Sequence, residues 1–515
     1  MRVERWAIVA LLVGACSSGA TTTAPASSGP TVSEPVASTG AAPPTATITT
    51  STSGPLPLLA AWTCPTDLRG RGLRATECHR LEVPADWSDP DGATISLPIA
   101  VLPASSGRPE PDPIVIPAGG PGYDGLGSAS YWRDSPLAMD RDIVLYDQRG
   151  TGRADPTLEC PESDAALVSV LQRDAPFEEE RQAVVDALRA CRARLEGEGV
   201  DLDDYDTEAS VRDLDAIRQA LGYESWNLLG ISYGARLSLA AMRSTPAHLR
   251  SVILDSVYDV AAGGFGASTR NAERAFQQLA DGCAADPGCA RAHGDVGATI
   301  TAVRDRYNAI PITVDVDLDD GKGPQTFVIT GDDAMGGLFN ALYDADLIPL
   351  LPSILDGLAA GDTGVVPELL RRGVRFSSGQ ADAMQMSVDC ADNAGLEGEP
   401  AGGVLPEPGR TRLLVTNALC SEWPVEPTSP TFNQAVSSSL PTLVLAGLYD
   451  PVTPPAGSEA VAGRLTNATF GLWPNQGHAV TGEPCATTIE LAFLAAPTAP
   501  VDLGCLASIR GPAFA

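Results

Sequence analysis

Gly230-Ile231-Ser232-Tyr233-Gly234 follows the apolar run Trp226-Asn227-Leu228-Leu229 and precedes the helix-like run Ala235-Arg236-Leu237-Ser238-Leu239-Ala240-Ala241-Met242. The chain therefore turns from a buried strand into a helix across a single serine, which is the G-x-S-x-G nucleophile elbow. A serine at so sharp a turn sits in strained backbone, and a Cβ on either flanking residue would collide with the adjoining strand or helix. The motif nominates Ser232 as a nucleophile.

Outward from the elbow, short apolar runs alternate with helical patterns. Pro113 to Pro117 runs into Ala118-Gly119-Gly120-Pro121-Gly122, and Asp142 to Tyr146 runs into Asp147-Gln148-Arg149-Gly150. Thr207 to Leu221 carries an apolar stripe at Val211, Leu214, Ile217 and Leu221, with Thr207 in the N-cap position, and predicts the helix that leads into the Ser232 strand. Leu249 to Leu254 is the next strand. Strands alternating with helices, joined by right-handed crossovers, predict an α/β fold with a doubly wound, mostly parallel sheet.

After Asp255 the strand rhythm stops. Residues 263–432 are mainly helical in pattern, as in Asn271 to Leu279 and Ile348 to Leu358, with one strand pair near Ile312 to Val316 and Thr326 to Ile329. Sheet strands resume at Pro441 to Ala446 and Ala468 to Trp473. The middle segment thus reads as a lid inserted into a sheet domain made of residues 57–262 and 433–515; the alternative is an independent second domain.

A serine needs a base within hydrogen-bond reach, itself oriented by an acid. In α/β hydrolases the chain order is Ser, then Asp or Glu, then His, each after a sheet strand. Asp450 follows the strand Pro441 to Ala446, and His478 follows the next one. Only four histidines exist. His79 adjoins Cys78 in a short cysteine-bounded loop, His248 ends the elbow helix and His293 falls in a polar stretch of the lid, which leaves His478 as the base. Asp255 also ends a strand and is the rival acid. The chain's single lysine, Lys322, lies in Asp319-Asp320-Gly321-Lys322-Gly323, so activation of the serine by lysine is closed. Two backbone donors should face the oxyanion, the amide of Tyr233 and that of Gly120 in the glycine turn. No metal or organic cofactor is required.

Composition locates the chain. The 515 residues hold 34 basic and 65 acidic side chains, a formal net charge of −31, which repels polyanions and excludes nucleic acid as a partner. Residues 1–15 carry Arg2 and Arg5 before an apolar stretch too short to span a bilayer, a secretory signal. Val13-Gly14-Ala15-Cys16 resembles a bacterial lipobox, implying cleavage before Cys16 and a lipid anchor on it. Residues 16–56 are rich in Ser, Thr, Ala, Pro and Gly and bear one charge, Glu34, so they read as a tether without a core. With Cys16 set aside, the other ten of the 11 cysteines fall into local pairs: Cys64 with Cys78, Cys160 with Cys191, Cys283 with Cys289, Cys390 with Cys420, and Cys485 with Cys505. No C-x-x-C pair is present, which argues for structural disulfides in an exported protein over a zinc or redox site.

Taken together, these motifs resemble the prolyl-aminopeptidase and tripeptidyl-aminopeptidase families of serine peptidases within the α/β-hydrolase fold. Ala118 to Gly122 is similar to their HGGPG turn, with Ala118 in place of the histidine, and Asp147-Gln148-Arg149-Gly150-Thr151-Gly152 to their DQRGxG turn. Gly230 to Gly234, Asp450-Pro451-Val452-Thr453-Pro454 and Gly477-His478 complete the set. Cys390-Ala391-Asp392 and Cys420 to Pro424 resemble lid segments of the exported tripeptidyl-aminopeptidase-like branch. The resemblance covers nearly everything from Trp62 onward. It implies cleavage near a peptide N-terminus, with lid carboxylates holding the α-ammonium: Asp392 first, then Asp389 and Glu422. The same machinery would serve a carboxylesterase on small esters, and a catalytically silent surface-binding protein is the reading of another class.

Overall fold

Runs of aliphatic residues between glycine-rich turns fold into strands that are buried on both faces. The computed structural model describes residues 59–69, 75–262, 265–396 and 417–515. The signal sequence, Cys16 and the tether of residues 16–56 lie outside the described residues. In chain order the strands are β1 (Leu59–Ala61), β2 (Glu77–Pro84), β3 (Thr94–Leu102), β4 (Ile114–Val115), β5 (Ile143–Tyr146), β6 (Trp226–Ile231), β7 (Leu249–Asp255), β8 (Ile312–Val316), β9 (Gln325–Ile329), β10 (Thr442–Gly447) and β11 (Ala468–Trp473).

Nine of these form one sheet in the order β1-β2-β3-β5-β4-β6-β7-β10-β11. From β5 to β11 every pairing is parallel, whereas β1, β2, β3 and β5 are joined antiparallel. β4 is only two residues long because Pro113 and Pro117, with no N–H to donate, bracket its ladder. Alternate side chains feed two cores: Leu228, Val252 and Leu254 pack on one face, Leu229 and Ile253 on the other.

The helix Thr207–Leu221 has the expected bounds, but Asp206 is its N-cap, accepting from the Ala209 amide at 2.6 Å. Thr207 is inside the first turn, and its hydroxyl bonds Asp392 Oδ2 (2.6 Å) and the Tyr233 hydroxyl (2.9 Å) instead. Two other placements also change. His79 lies on β2, and His293 ends a helix, Pro287–His293, where it bonds Asp356 and the carbonyl of Ala515.

Between β7 and β10 the described chain is helical apart from the antiparallel pair β8 and β9. This segment has its own apolar core, built on residues such as Phe276, Val303, Met335 and Leu355. A second helical element was not legible in the sequence: of two helices inserted between β5 and β6, Pro161–Leu171 packs beside that core through Leu171, and Phe177–Gly197 packs on the sheet's core through Leu188 and Leu195. Five disulfides join Cys64–Cys78, Cys160–Cys191, Cys283–Cys289, Cys390–Cys420 and Cys485–Cys505, with Cα separations of 5.1 to 5.9 Å. Disulfides in such number belong to an exported chain. Among the described residues no helix is long and apolar enough to cross a membrane.

Candidate active site

Ser232 stands between β6 and the helix Tyr233–Ser244 with φ 60° and ψ −119°, a region an L-residue enters only at a cost of about 1–3 kcal/mol. Its neighbours show why glycine flanks it. A Cβ on Gly234 would strike the carbonyl oxygen of Pro117, and one on Gly230 would strike Gly234 and the Ser238 hydroxyl. The Ser232 amide is pinned to the carbonyl oxygen of Asp255 at 3.0 Å, which fixes the elbow to the end of β7.

His478 follows β11 and accepts its orientation from Asp450, whose Oδ2 lies 2.9 Å from Nδ1. Asp450 is fully buried; Oδ1 accepts the amides of Val452 and Thr453, and Oδ2 the Thr453 hydroxyl. Burial alone would push this carboxyl up, but His478 and the Thr453 hydrogen bonds outweigh it and hold it below the usual carboxylate range. For His478 burial disfavours the charged ring, yet the charge and hydrogen bond of Asp450, with Asp255 behind, raise its pKa above the ordinary value. Nδ1 is thereby committed to the acid. Nε2 is left for the cavity of about 660 Å³ that His478 and Ser232 both line. Tyr343, from the lid, stands edge-on to the imidazole with ring centres 4.9 Å apart.

The rival acid has another task. Asp255 Oδ2 accepts the amides of Val480 and Thr481, both at 2.8 Å, just beyond the histidine.

The glycine turn after β4 lines the same cavity at Gly119 and Gly120. Gly120 has φ 110°, and a Cβ there would meet the Gly122 amide at 2.6 Å, so only glycine fits. Although Ala118 offers no side-chain support, the turn is held from two sides. Gln148 donates Nε2 to the Ala118 carbonyl at 2.9 Å, and the lid takes the Gly122 carbonyl through the Ala381 amide at 2.9 Å and the Pro121 carbonyl through Gln380. The Asp147 to Gly152 turn is rigid in its own right. Asp147 accepts the amides of Leu126 and Arg153, and Arg149, fully buried, forms a two-pronged pair with Asp213. Tyr233 is the first residue of its helix, so its amide is one of those a helix leaves without an internal acceptor.

Of the three lid carboxylates, the structure corrects two. Asp392 is wholly buried outside the cavity wall, with Oδ2 3.0 Å from Arg236 Nε and further bonds from Thr207, so its charge is already matched. Glu422 also lies off the cavity, paired with Arg189. Asp389 does line it, and Asp382, Gln385 and Met386 join it there. Their spacing of i, i+3, i+4 and i+7 along the helix Asp382–Asp392 is one helical face, a signal the sequence did contain. Burial pushes both Asp382 and Asp389 up to about 7. The cavity wall holds further carboxylates at Asp124, Asp164 and Asp259 and, among the described residues, no lysine or arginine. Among the described residues the one cluster with metal-like spacing, Cys160, Glu162 and Cys191, has both sulfurs tied in a disulfide and its glutamate paired with Arg194.

Residues 112–283 match the alpha/beta hydrolase fold family, and residues 409–505 match the TAP-like protein family. The chain is similar to serine protease Hip1 of Mycobacterium tuberculosis, 27% identical over 461 residues that cover 82% of this chain and 86% of the relative. It is 27% identical over 467 residues to carboxylesterase B of the same organism, covering 84% and 87%. Over 471 residues it is 25% identical to a tripeptidyl aminopeptidase of Streptomyces lividans, covering 83% of each. The strand-to-helix serine, the parallel sheet that carries it and the TAP-like C-terminal region agree, and the chain is a serine hydrolase of the α/β-hydrolase fold with a TAP-like C-terminal region.

Proposed function

We propose that this serine hydrolase is an exported, lipid-anchored peptidase that releases single residues or short peptides from the N-termini of its substrates. Ser232 Oγ attacks the scissile carbonyl while His478 Nε2 takes its proton, and Asp450 stabilises the imidazolium. The amides of Tyr233 and Gly120 receive the oxyanion. The proton on His478 then passes to the leaving amine, and water, activated by the same ring, splits the acyl-enzyme. Asp389 holds the substrate's α-ammonium at a fixed distance from Ser232, which measures the bond to be cut.

The observation that carries this reading is the His478–Asp450 pair and Ser232 on one cavity whose wall has Asp389 and no cationic side chain among the described residues. An anionic wall favours a protonated amine over a neutral ester. The similarity to carboxylesterase B supports a second reading, ester hydrolysis by the same three residues. Aminoacyl and tripeptidyl arylamides, each with free and acetylated amino groups, compared with short acyl esters, separate the two. Acetylation should abolish arylamide turnover and leave ester turnover intact; equal turnover of free and acetylated arylamides would refute the aminopeptidase. For the anchor, Cys16→Ser should move the protein from the membrane to the soluble fraction, and an unchanged distribution would refute lipidation.

A further inference from the structure

Beneath the loop that carries His478 lie two carboxylates that the acyl-transfer chemistry leaves unused. Asp255, at the end of β7, and Glu490, in the helix Pro484–Ala495, are both fully buried. Both reach the same residue, Thr481, three places beyond the base. Asp255 Oδ2 accepts the Thr481 and Val480 amides at 2.8 Å, and Glu490 Oε1 accepts the Thr481 hydroxyl at 2.8 Å. Ser256 Oγ adds a third tie, to the amide of Ala479, which sits at φ 70°. Each carboxylate has one oxygen left over, Asp255 Oδ1 and Glu490 Oε2, buried and without a protein hydrogen-bond partner.

The surrounding charges do not compensate the two. The groups facing Glu490 are Asp255 from β7, Glu483 at the start of its own helix, and Tyr131 from the helix Ala129–Asp134, whose hydroxyl meets the Thr481 carbonyl at 3.4 Å. Glu483 is itself satisfied by Trp473 Nε1 and the amides of Cys485 and Ala486. On the far side of Asp255 stands His478, whose charge, when protonated, acts on that carboxylate. No arginine or lysine among the described residues bonds either carboxylate. Two such acids on one residue in a dry interior cannot both ionise, so one retains a proton. Asp255, with two amides aimed at one oxygen, is the better anion. Glu490 is the better acid, and burial, with Asp255 and Glu483 nearby, pushes it up to about 8.

We propose that Asp255 and Glu490 form a buried carboxylate pair holding one proton, which positions His478 through Thr481, and that loss of this proton slows acylation of Ser232. Both are positioning residues. Asp255 also ties its backbone carbonyl to the Ser232 amide, so one residue sets the elbow and the histidine loop against each other. A second negative charge at Glu490 repels Asp255 across Thr481 and shifts the imidazole, and a displacement of about 1 Å is enough to slow the reaction.

The inference rests on the reading of Ser232 and His478 as nucleophile and base, and the test separates the two. Fluorophosphonate inactivation is followed from about pH 6 to about pH 10 in wild type and Glu490→Gln, because this probe has no amino group whose own titration would intrude. Both rates should rise as His478 loses its proton; beyond that limb the wild-type rate should fall at least about threefold through pH ~8, and Glu490→Gln, neutral and of the same shape, should hold its plateau. Thermal midpoints supply a second readout: wild type should lose stability relative to Glu490→Gln as the pH rises from about 5 to about 9. Identical profiles in the two proteins, or a wild-type rate level to about pH 10, would overturn the pair. No label on wild type at any pH would overturn the nucleophile itself.

Discussion

At Ser232, the proposed nucleophile, backbone strain and access to the cavity coincide in one side chain, so its removal should affect turnover far more than folding. Ser232→Ala and His478→Ala should each lower kcat by about four to six orders of magnitude, measured with whichever arylamide or ester is turned over. Asp450→Asn should cost about 10⁴ or somewhat less, because the acid acts through the histidine it orients. Retention of more than a tenth of the activity by His478→Ala would redirect the search for the base. The pH dependence follows from the same pair. Acylation needs neutral His478, whose pKa the pair with Asp450 raises, so the acid limb of kcat/KM lies above the ordinary histidine value and should move down in Asp450→Asn. The two neighbouring aspartates of the lid separate binding from architecture. Asp389→Asn should raise KM for free-amine peptides about tenfold or more and leave esters unaffected. Asp392→Asn strands the buried Arg236 and should cost about 3–5 kcal/mol of stability by denaturant titration, with selectivity unchanged in the folded enzyme.

The elements divide into those the sequence announces and those it does not. β6, β7, β10 and β11 are mostly apolar runs between turn residues, and their bounds agree with the reading to within a residue or two; β6, β7 and β10 are buried on both faces and hold few polar side chains, whereas β11, at the sheet edge, is only partly buried. β2 alternates buried and exposed positions and carries Arg80 and Glu82, and its place depends on partners some twenty residues on, which periodicity in one stretch does not reveal. The order of the proposed triad was legible beside the strands, since each of its residues follows the end of one within five positions. Asp392 misled because its partner, Arg236, lies 156 residues earlier in the chain, and no local pattern reports a cation at that distance. The support of the glycine turn was also hidden. Gln148, in the turn after β5, reaches across to Ala118 after β4, and the lid grips Pro121 and Gly122. Gln148→Ala should therefore lower kcat about tenfold on a short acyl ester with little change in KM, since a loosened turn aims its oxyanion donor less well. A change in KM alone would show that the turn binds substrate and does not stabilise the oxyanion.

For the molecule as a whole, the excess of acid that excludes polyanions also sets how stability varies with pH. Several carboxyls are buried with no cation hydrogen-bonded to them. Burial pushes Asp147 and Asp206 up to about 6, Asp382 and Asp389 to about 7 and Glu490 to about 8. In the unfolded chain these groups titrate near 4. Between the two values the folded state binds more protons than the unfolded one, so their contribution is complete below about pH 4 and is lost as the pH rises through 6 to 8. Asp450 has the opposite sign: its folded pKa is depressed, so its contribution is present above the unfolded value and lost as the pH falls below it. The opposing trends place the maximum of thermal stability near pH 5, whereas activity, which needs a neutral His478, rises on the alkaline side of that point. Thermal midpoints at constant ionic strength across about pH 4 to 9 should peak near 5 and decline toward 9, and a peak above about 7 would show that the buried carboxyls of the cavity find cations the fold does not provide.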